Sequence, residues 1–288
     1  MNEDQKSPEG SIPTLCFPDF EKSCFACCPP IRQAGYEHIQ HRKIVERILR
    51  ENTAAFNVDD KEIVPITGFS CWALGYLDKN FRLVGCLLHP ARNEQNDLRY
   101  LIDYGDKCGR ETCPEAETFL TLTPLQRRFW LCLTKGLDSF SYSSRKDNPL
   151  FIILGWGKEI LTKVFANTTD IVSDLDTFLD AFPFFTTSFS PKGHSYILEK
   201  ILTIRGTEIL TQKPFKEKFE MFVMGLLREL RAVRSFDPQD PYVHKLRNDR
   251  CFLDFLRLSV GVSRISEEKA DSLKKLTDKA AKKFCSNL

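Results

Sequence analysis

The sequence predicts an α+β chain: a small cysteine-rich domain with a β-hairpin over residues 1–118, followed by an all-helical domain over 119–288. Three observations predict it. Eight of the eleven cysteines lie between Cys16 and Cys113, and only Cys132, Cys251 and Cys285 follow. Two apolar, extended-looking runs in the first part are joined by turn residues, whereas from Thr123 onward helix starts recur. The boundary falls in 114–123, PEAETFLTLT, where a Pro and several Thr precede a helical start.

In the first domain, Ile44, Val45, Ile48 and Leu49 are spaced to share a helix face, with Arg42, Lys43, Glu46 and Arg47 between them, which predicts a helix of about 15 residues after Gly35. Two strands are expected next, Ile63 to Leu77 and Phe81 to Leu88, joined by Asp78-Lys79-Asn80, with Cys71 on one arm and Cys86 on the other. Beyond the boundary, Thr123-Pro124-Leu125-Gln126 supplies the hydroxyl, the Pro at the first helical position and the Gln of a capping box. Further helices are expected at about 147–166, 169–182, 191–211, 214–234, 240–262 and 266–285.

With 288 residues the chain needs no covalent staples to bury a core, so the cysteines are not there to rescue a small fold. The opening MNEDQKSPEG is polar and has no apolar core of a secretory signal, and the longest nearly unbroken apolar run, Pro149 to Trp156, is far short of the roughly 20 residues that span a bilayer. A cytoplasmic protein is expected. In a reducing compartment clustered thiols hold metal or do redox chemistry more often than they form disulfides, and an odd total argues against complete internal pairing.

The sharpest motif is CFPDFEKSCFACC, which contains Cys16, Cys24, Cys27 and Cys28. The Cys24-x2-Cys27 turn lets two thiolates reach one ion, as in zinc and iron–sulfur sites. Adjacent residues in an extended chain point opposite ways, so Cys28 is expected to serve a second ion, a polynuclear cluster or the core. Cys71, Cys86, Cys108 and Cys113 are the other candidate ligands; the last two lie in DKCGRETC, a polar stretch expected to be a loop, where burial is a poor reason for cysteine. Eight cysteines suffice for two four-thiolate sites, or for one site with spare thiols, and spacing does not apportion them. Cys132, Cys251 and Cys285 fall in apolar helical patterns and are expected in the core, while His38 and His41 are expected as exposed residues near a helix start; His89, three residues past Cys86, is a weaker candidate ligand.

The succession Cys24-x2-Cys27-Cys28, then Cys71 with Leu77-Asp78, then Cys86-Leu-Leu-His89-Pro90 and Cys108 resembles the YkgJ-like zinc- or iron-chelating (CxxCxxCC) family. The resemblance covers about a hundred residues and departs in two places. Seven residues separate Cys16 from Cys24, and His89-Pro90 stands where that family has Arg-Pro. It implies cysteine-bound zinc or iron, an iron–sulfur cluster included. A looser likeness to the cysteine-rich start of flagellin lysine methylases rests on the clustered cysteines alone and implies cluster-dependent methyl transfer.

No Gly-rich phosphate loop appears, and Gly155-Trp156-Gly157 is expected to permit close packing within a helix. Arg127-Arg128 and Arg228, Arg231 and Arg234 alternate with acids and apolar residues, as on a solvated helix face, and the net charge is only +2, so neither nucleic acid nor membrane is an expected partner. A metal-binding module whose helical part contacts another protein is the leading expectation. The rival is a metalloenzyme using an iron–sulfur or open zinc site for redox or group transfer.

Overall fold

The computed structural model describes residues 13–28, 35–57, 62–67, 70–110, 113–168, 172–233 and 237–288. The Met1–Gly10 lead-in, Gly68 and Phe69 of the first expected strand, the start of the helix expected at 169, and Arg234 lie outside them. The chain is mostly helical (58%) with one two-stranded antiparallel sheet among the described residues, in keeping with the α+β expectation. Internal contacts divide it into Met1–Phe151 and Ile152–Leu288, so the first compact unit runs past the composition boundary at 118.

The first unit is organised around a very short hairpin. Strand β1 (Leu74–Tyr76) pairs with β2 (Val84–Cys86), Leu74 opposite Cys86 and Tyr76 opposite Val84. The expected arms were much longer. Cys71 lies before β1 rather than on it, in a turn closed by Leu74 N–H donating to the Cys71 carbonyl at 3.0 Å. Residues 63–66 do not extend β1; Val64 instead makes an isolated parallel bridge to Ile102. The connection forms where Asp78 was expected to turn the chain: its carboxylate accepts the N–H groups of Asn80, Arg82 and Leu83, while Phe81 takes a left-handed φ of 56°.

Two paired strands of three residues leave an outward row of backbone groups on each side, and such groups are costly to bury unpaired. Side chains close both rows. On β2, the fully buried Ser23 hydroxyl accepts from Val84 N–H and donates to the Val84 carbonyl, both at 2.7 Å. On β1, the Asn52 amide donates to the carbonyls of Cys71 and Leu74, and the Thr53 hydroxyl accepts from Tyr76 N–H. Asn52 and Thr53 belong to α1 (Arg42–Ala55), whose inner stripe is therefore Val45, Leu49, Asn52 and Thr53. Ile44, expected on that face, is exposed because the stripe aimed at β1 leaves it to one side.

Short helices complete the unit: α2 (Gly105–Arg110), α3 (Pro114–Leu120), α4 (Pro124–Cys132) and α5 (Ser139–Ser143), with α6 (Pro149–Leu154) spanning the division. The capping box at α4 forms as expected, the Thr123 hydroxyl accepting from Gln126 N–H and the Gln126 amide oxygen accepting from Thr123 N–H. Asp138 caps α5 through Ser141 N–H.

In the second unit the helix expected over 147–166 is broken at Gly157, whose φ of 89° favours glycine, and resumes as α7 (Lys158–Ala166). It is followed by α8 (Leu175–Ala181), α9 (Pro191–Arg205), α10 (Lys213–Val233), α11 (Arg250–Phe255), which runs into a π-turn over Leu256–Val260, and α12 (Glu267–Ser286). Helix α9 packs against α7, α11 and α12 and buries Tyr196, Ile197, Leu198, Ile201 and Leu202. At Gly193 an added Cβ would lie 2.5 Å from the Ser259 hydroxyl, which itself donates to the Gly193 carbonyl, so only glycine fits this approach. Among the described residues no helix is long and apolar enough to cross a membrane.

Replacing Ser23 by Ala leaves two buried backbone groups of Val84 without a partner. The expected cost is about 2–4 kcal/mol in urea denaturation, whereas Ser286→Ala, at an exposed site, is expected to stay within about 0.5 kcal/mol. Equal midpoints for the two variants would contradict this account of the sheet edge.

Candidate metal centre

None of the eleven cysteines is in a disulfide. The segment that carries the first four is pinned by backbone contacts. Cys24 N–H donates to the Cys16 carbonyl at 2.8 Å, and the residues between them fold onto Asp19, whose carboxylate accepts from Glu21 and Lys22 N–H. Ser23 and Phe25 N–H donate to the hydroxyls of Ser139 and Ser143 on α5. The buried Phe25 ring packs edge-on against Phe140 and beside His38. Cys28 N–H turns back to the Phe25 carbonyl, which leaves Cys27 exposed and Cys28 half-buried against the core that contains Cys71.

Cys86 sits on β2, and the register sets it opposite Leu74, itself bonded to Cys71. Cys108 is on α2 and not in a loop, since Gly105–Arg110 closes a helical turn through Cys108 N–H to the Tyr104 carbonyl. The Arg99 guanidinium donates to the Cys108 carbonyl at 2.8 Å and is gripped by Asp97, whose carboxyl it holds down at about 2. Cys113 is also placed by a helix: it is the N-cap of α3, its sulfur accepting from Ala116 N–H at 3.3 Å.

These eight thiols are electrostatic neighbours. Cys24 feels Cys27, Cys16 and Cys113; Cys71 feels Cys86 and Cys108; Cys86 feels Cys108 and Cys27. Burial first, and the neighbouring sulfurs after it, push Cys16 and Cys86 up to about 11 and Cys71 up to about 12, and raise Cys24 further still; burial and then the Glu115 carboxylate push Cys113 up to about 12. Cys28 is raised chiefly by a hydrogen bond with the Cys27 thiol and next by burial. Among the described residues no group of three or more His, Cys, Asp or Glu side chains stands in an arrangement that could hold a metal ion. The thiols are gathered, but they do not form a finished coordination shell.

Several neighbours were not singled out by the sequence. His38, expected at the surface, is buried, with its ring bonded to the Cys28 carbonyl, while His41 is exposed. Arg99 lies near Cys86 and Cys108, and Arg145, paired with Glu115 at 3.2 Å, lies near Cys113. Nothing local in sequence marks either arginine as a neighbour of these sulfurs, because the fold brings them near. His89 is lowered by burial and then by Arg99. Of the three cysteines expected in the core, Cys285 is buried and Cys132 half-buried, but Cys251 is exposed, its thiol bonded to Ser195 of α9. A separate open cleft of about 450 Å³ beside α1 is lined by Arg42, Glu46 and Asp138. Its guanidinium is already paired with both carboxylates, at 2.8 and 2.5 Å.

No family model matches the chain, and no curated protein or solved structure matches it.

The raised thiols set a pH dependence. A thiol whose folded pKa lies above its unfolded value contributes stability that is complete below about pH 9 and is lost as pH climbs through 11 to 12. With chelator and reductant present, the urea midpoint of the first unit is therefore expected to fall progressively above pH 9, and to fall less in Cys71→Ser. A midpoint flat to pH 11 would contradict the burial of these sulfurs.

Proposed function

We propose that the first unit is a metal-binding module in which Cys16, Cys24, Cys27, Cys28, Cys71, Cys86, Cys108 and Cys113 supply thiolate ligands to zinc or iron. The observation that carries this is the gathering of eight thiols, from segments nearly a hundred residues apart in sequence, into one electrostatically coupled group without a disulfide. Burial alone keeps such thiols protonated and chemically idle. A bound cation reverses that balance, because a coordinating thiol is deprotonated outright and its charge is met at short range. The lack of a finished shell accords with metal sites in which ion and local structure order together.

The residues fit soft, thiolate-favouring ions better than oxygen-favouring ones such as magnesium or calcium. An iron–sulfur cluster draws on the same ligands and would supply electron transfer. The sequence likeness to the YkgJ-like chelating family rests on these cysteines and points the same way. The helical second unit is assigned a contact with a partner protein in this proposal. The exposure of Cys27 favours a second reading, a metalloenzyme with an open coordination position for redox or group (methyl) transfer.

Elemental analysis of anaerobically prepared protein is expected to find zinc or iron in stoichiometric amount; a folded, metal-free protein with every thiol reactive would refute the proposal. Cys27→Ser is expected to lower metal content and expose the first unit to protease, while Cys251→Ser leaves both unchanged. In the cobalt-substituted protein, a four-thiolate tetrahedral spectrum indifferent to cyanide and azide supports a closed structural site. A spectrum that shifts on adding them supports the enzyme.

A further inference from the structure

Cys16, Cys27 and Cys251 are the exposed cysteines, and they differ in what their sulfurs meet. The Cys251 thiol is bonded to Ser195, and Cys16 feels Cys27 through space. The Cys27 thiol is hydrogen-bonded to the thiol of the very next residue, Cys28.

In an extended segment neighbouring side chains face opposite ways, and this contact would not form. Here the chain turns instead. Cys28 N–H donates to the Phe25 carbonyl at 3.0 Å, and the bend over residues 25–28 brings the two sulfurs together. It is held at both ends. Phe25 N–H donates to the Ser143 hydroxyl at 2.9 Å, and the buried Phe25 ring packs edge-on against Phe140. At the other end the His38 ring is bonded to the Cys28 carbonyl, and Cys28 packs against the buried cluster that contains Cys71 and Leu74. One thiol of the pair is thus open to solvent, and the other is half-buried beside it. An accessible sulfur that meets the reagent, with a second sulfur in contact to resolve the product, is the layout of an oxidation-sensitive thiol pair.

We propose that Cys27 and Cys28 form a vicinal dithiol that hydroperoxides oxidise to a disulfide between the two residues, Cys27 reacting first and Cys28 resolving. In the first step the Cys27 sulfur attacks one peroxide oxygen, the O–O bond breaks, an alcohol (water from hydrogen peroxide) leaves, and Cys27 becomes a sulfenic acid. In the second, the Cys28 sulfur attacks the Cys27 sulfur, the S–S bond forms, the S–O bond breaks and water leaves. The two sulfurs together give up two electrons to the peroxide oxygens, and both thiol protons end in the alcohol and the water. Adjacent Cα atoms lie about 3.8 Å apart across a trans peptide, closer than the roughly 4.4–6.8 Å that disulfides usually span, so the bond is strained and a small dithiol reduces it readily. The pair is therefore a reversible switch rather than a staple. The dithiol stands without the metal-binding reading; under that reading, closing the bond withdraws two ligands at once.

Peptide mass spectrometry of the full-length, reduced, metal-free protein after brief exposure to tert-butyl hydroperoxide tests the proposal. The peptide that holds Cys27 and Cys28 is expected to lose two hydrogens and gain no oxygen, and to recover them on adding dithiothreitol, while Cys251 stays open to alkylation. Phenylarsine oxide, which bridges two thiols in contact, is expected to block Cys27 and Cys28 together before oxidation and neither after it. In Cys28→Ser, Cys27 is expected to stop at a sulfenic acid that dimedone traps. A disulfide from Cys27 to Cys24 or Cys86 in the wild-type protein, or oxidation of Cys251 as fast as that of Cys27, would overturn the proposal, and neither measurement needs a variant to fold. Oxidised protein that has lost zinc binding which the reduced form shows would support the switch at the metal site. Reduced protein that forms the disulfide yet binds no zinc, iron or cobalt would overturn the metal-binding reading and leave the dithiol standing.

Discussion

One serine hydroxyl and two side chains of α1 make the sheet possible. A hairpin with three residues per strand cannot bury itself unaided, because its outer backbone groups would be left without partners. Ser23 closes one edge and Asn52 with Thr53 closes the other, so the pairing is in effect extended on both sides by side chains. The segment containing Ser23 also carries Cys24, Cys27 and Cys28, and the strand it closes carries Cys86. The position of half of the clustered thiols therefore follows from how that small sheet is finished.

The electrostatics of the unit turn on the same compactness. Burial raises the thiols, and each sulfur near another adds to the difficulty of ionising either. Arg99 and Arg145 offset part of that cost, yet each is already engaged by a carboxylate, Asp97 and Glu115. Two partly compensated guanidinium groups do not balance eight thiolates. Something of higher charge density is required if those sulfurs are to ionise together, and a divalent metal is the simplest candidate under the proposal made above.

Local signals in the sequence translated well where the chemistry itself is local. The Thr123–Gln126 capping box, the Asp78 turn and the Ser266 cap each depend on atoms a few residues apart, and each is formed. What depended on distant partners was not legible. An apolar run over 63–77 suggested one long strand, but the edge it would have offered is taken by α1, and the chain near Val64 bridges to Ile102 instead. DKCGRETC looked like a loop because nothing in it is apolar, yet a single turn of helix forms under Arg99. His38 looked like a surface residue until Phe25 and the Cys28 carbonyl, brought in from elsewhere, covered it. The clustering of cysteines was visible by count; which sulfurs lie near which was not, because that depends on α5 and on the strand register.

The anchoring of Ser23 and Phe25 by Ser139 and Ser143 spans 116 and 118 positions, and all eight clustered cysteines precede those anchors in the chain. During synthesis the thiols therefore emerge well before the element that fastens them. At roughly 5–20 residues per second, the stretch from Cys28 to Ser143 takes on the order of ten seconds to make. Until Ser139 and Ser143 have been made, the segment that carries Cys24, Cys27 and Cys28 lacks the hydroxyls that fasten it, so its thiols are less sheltered in the growing chain than in the finished molecule.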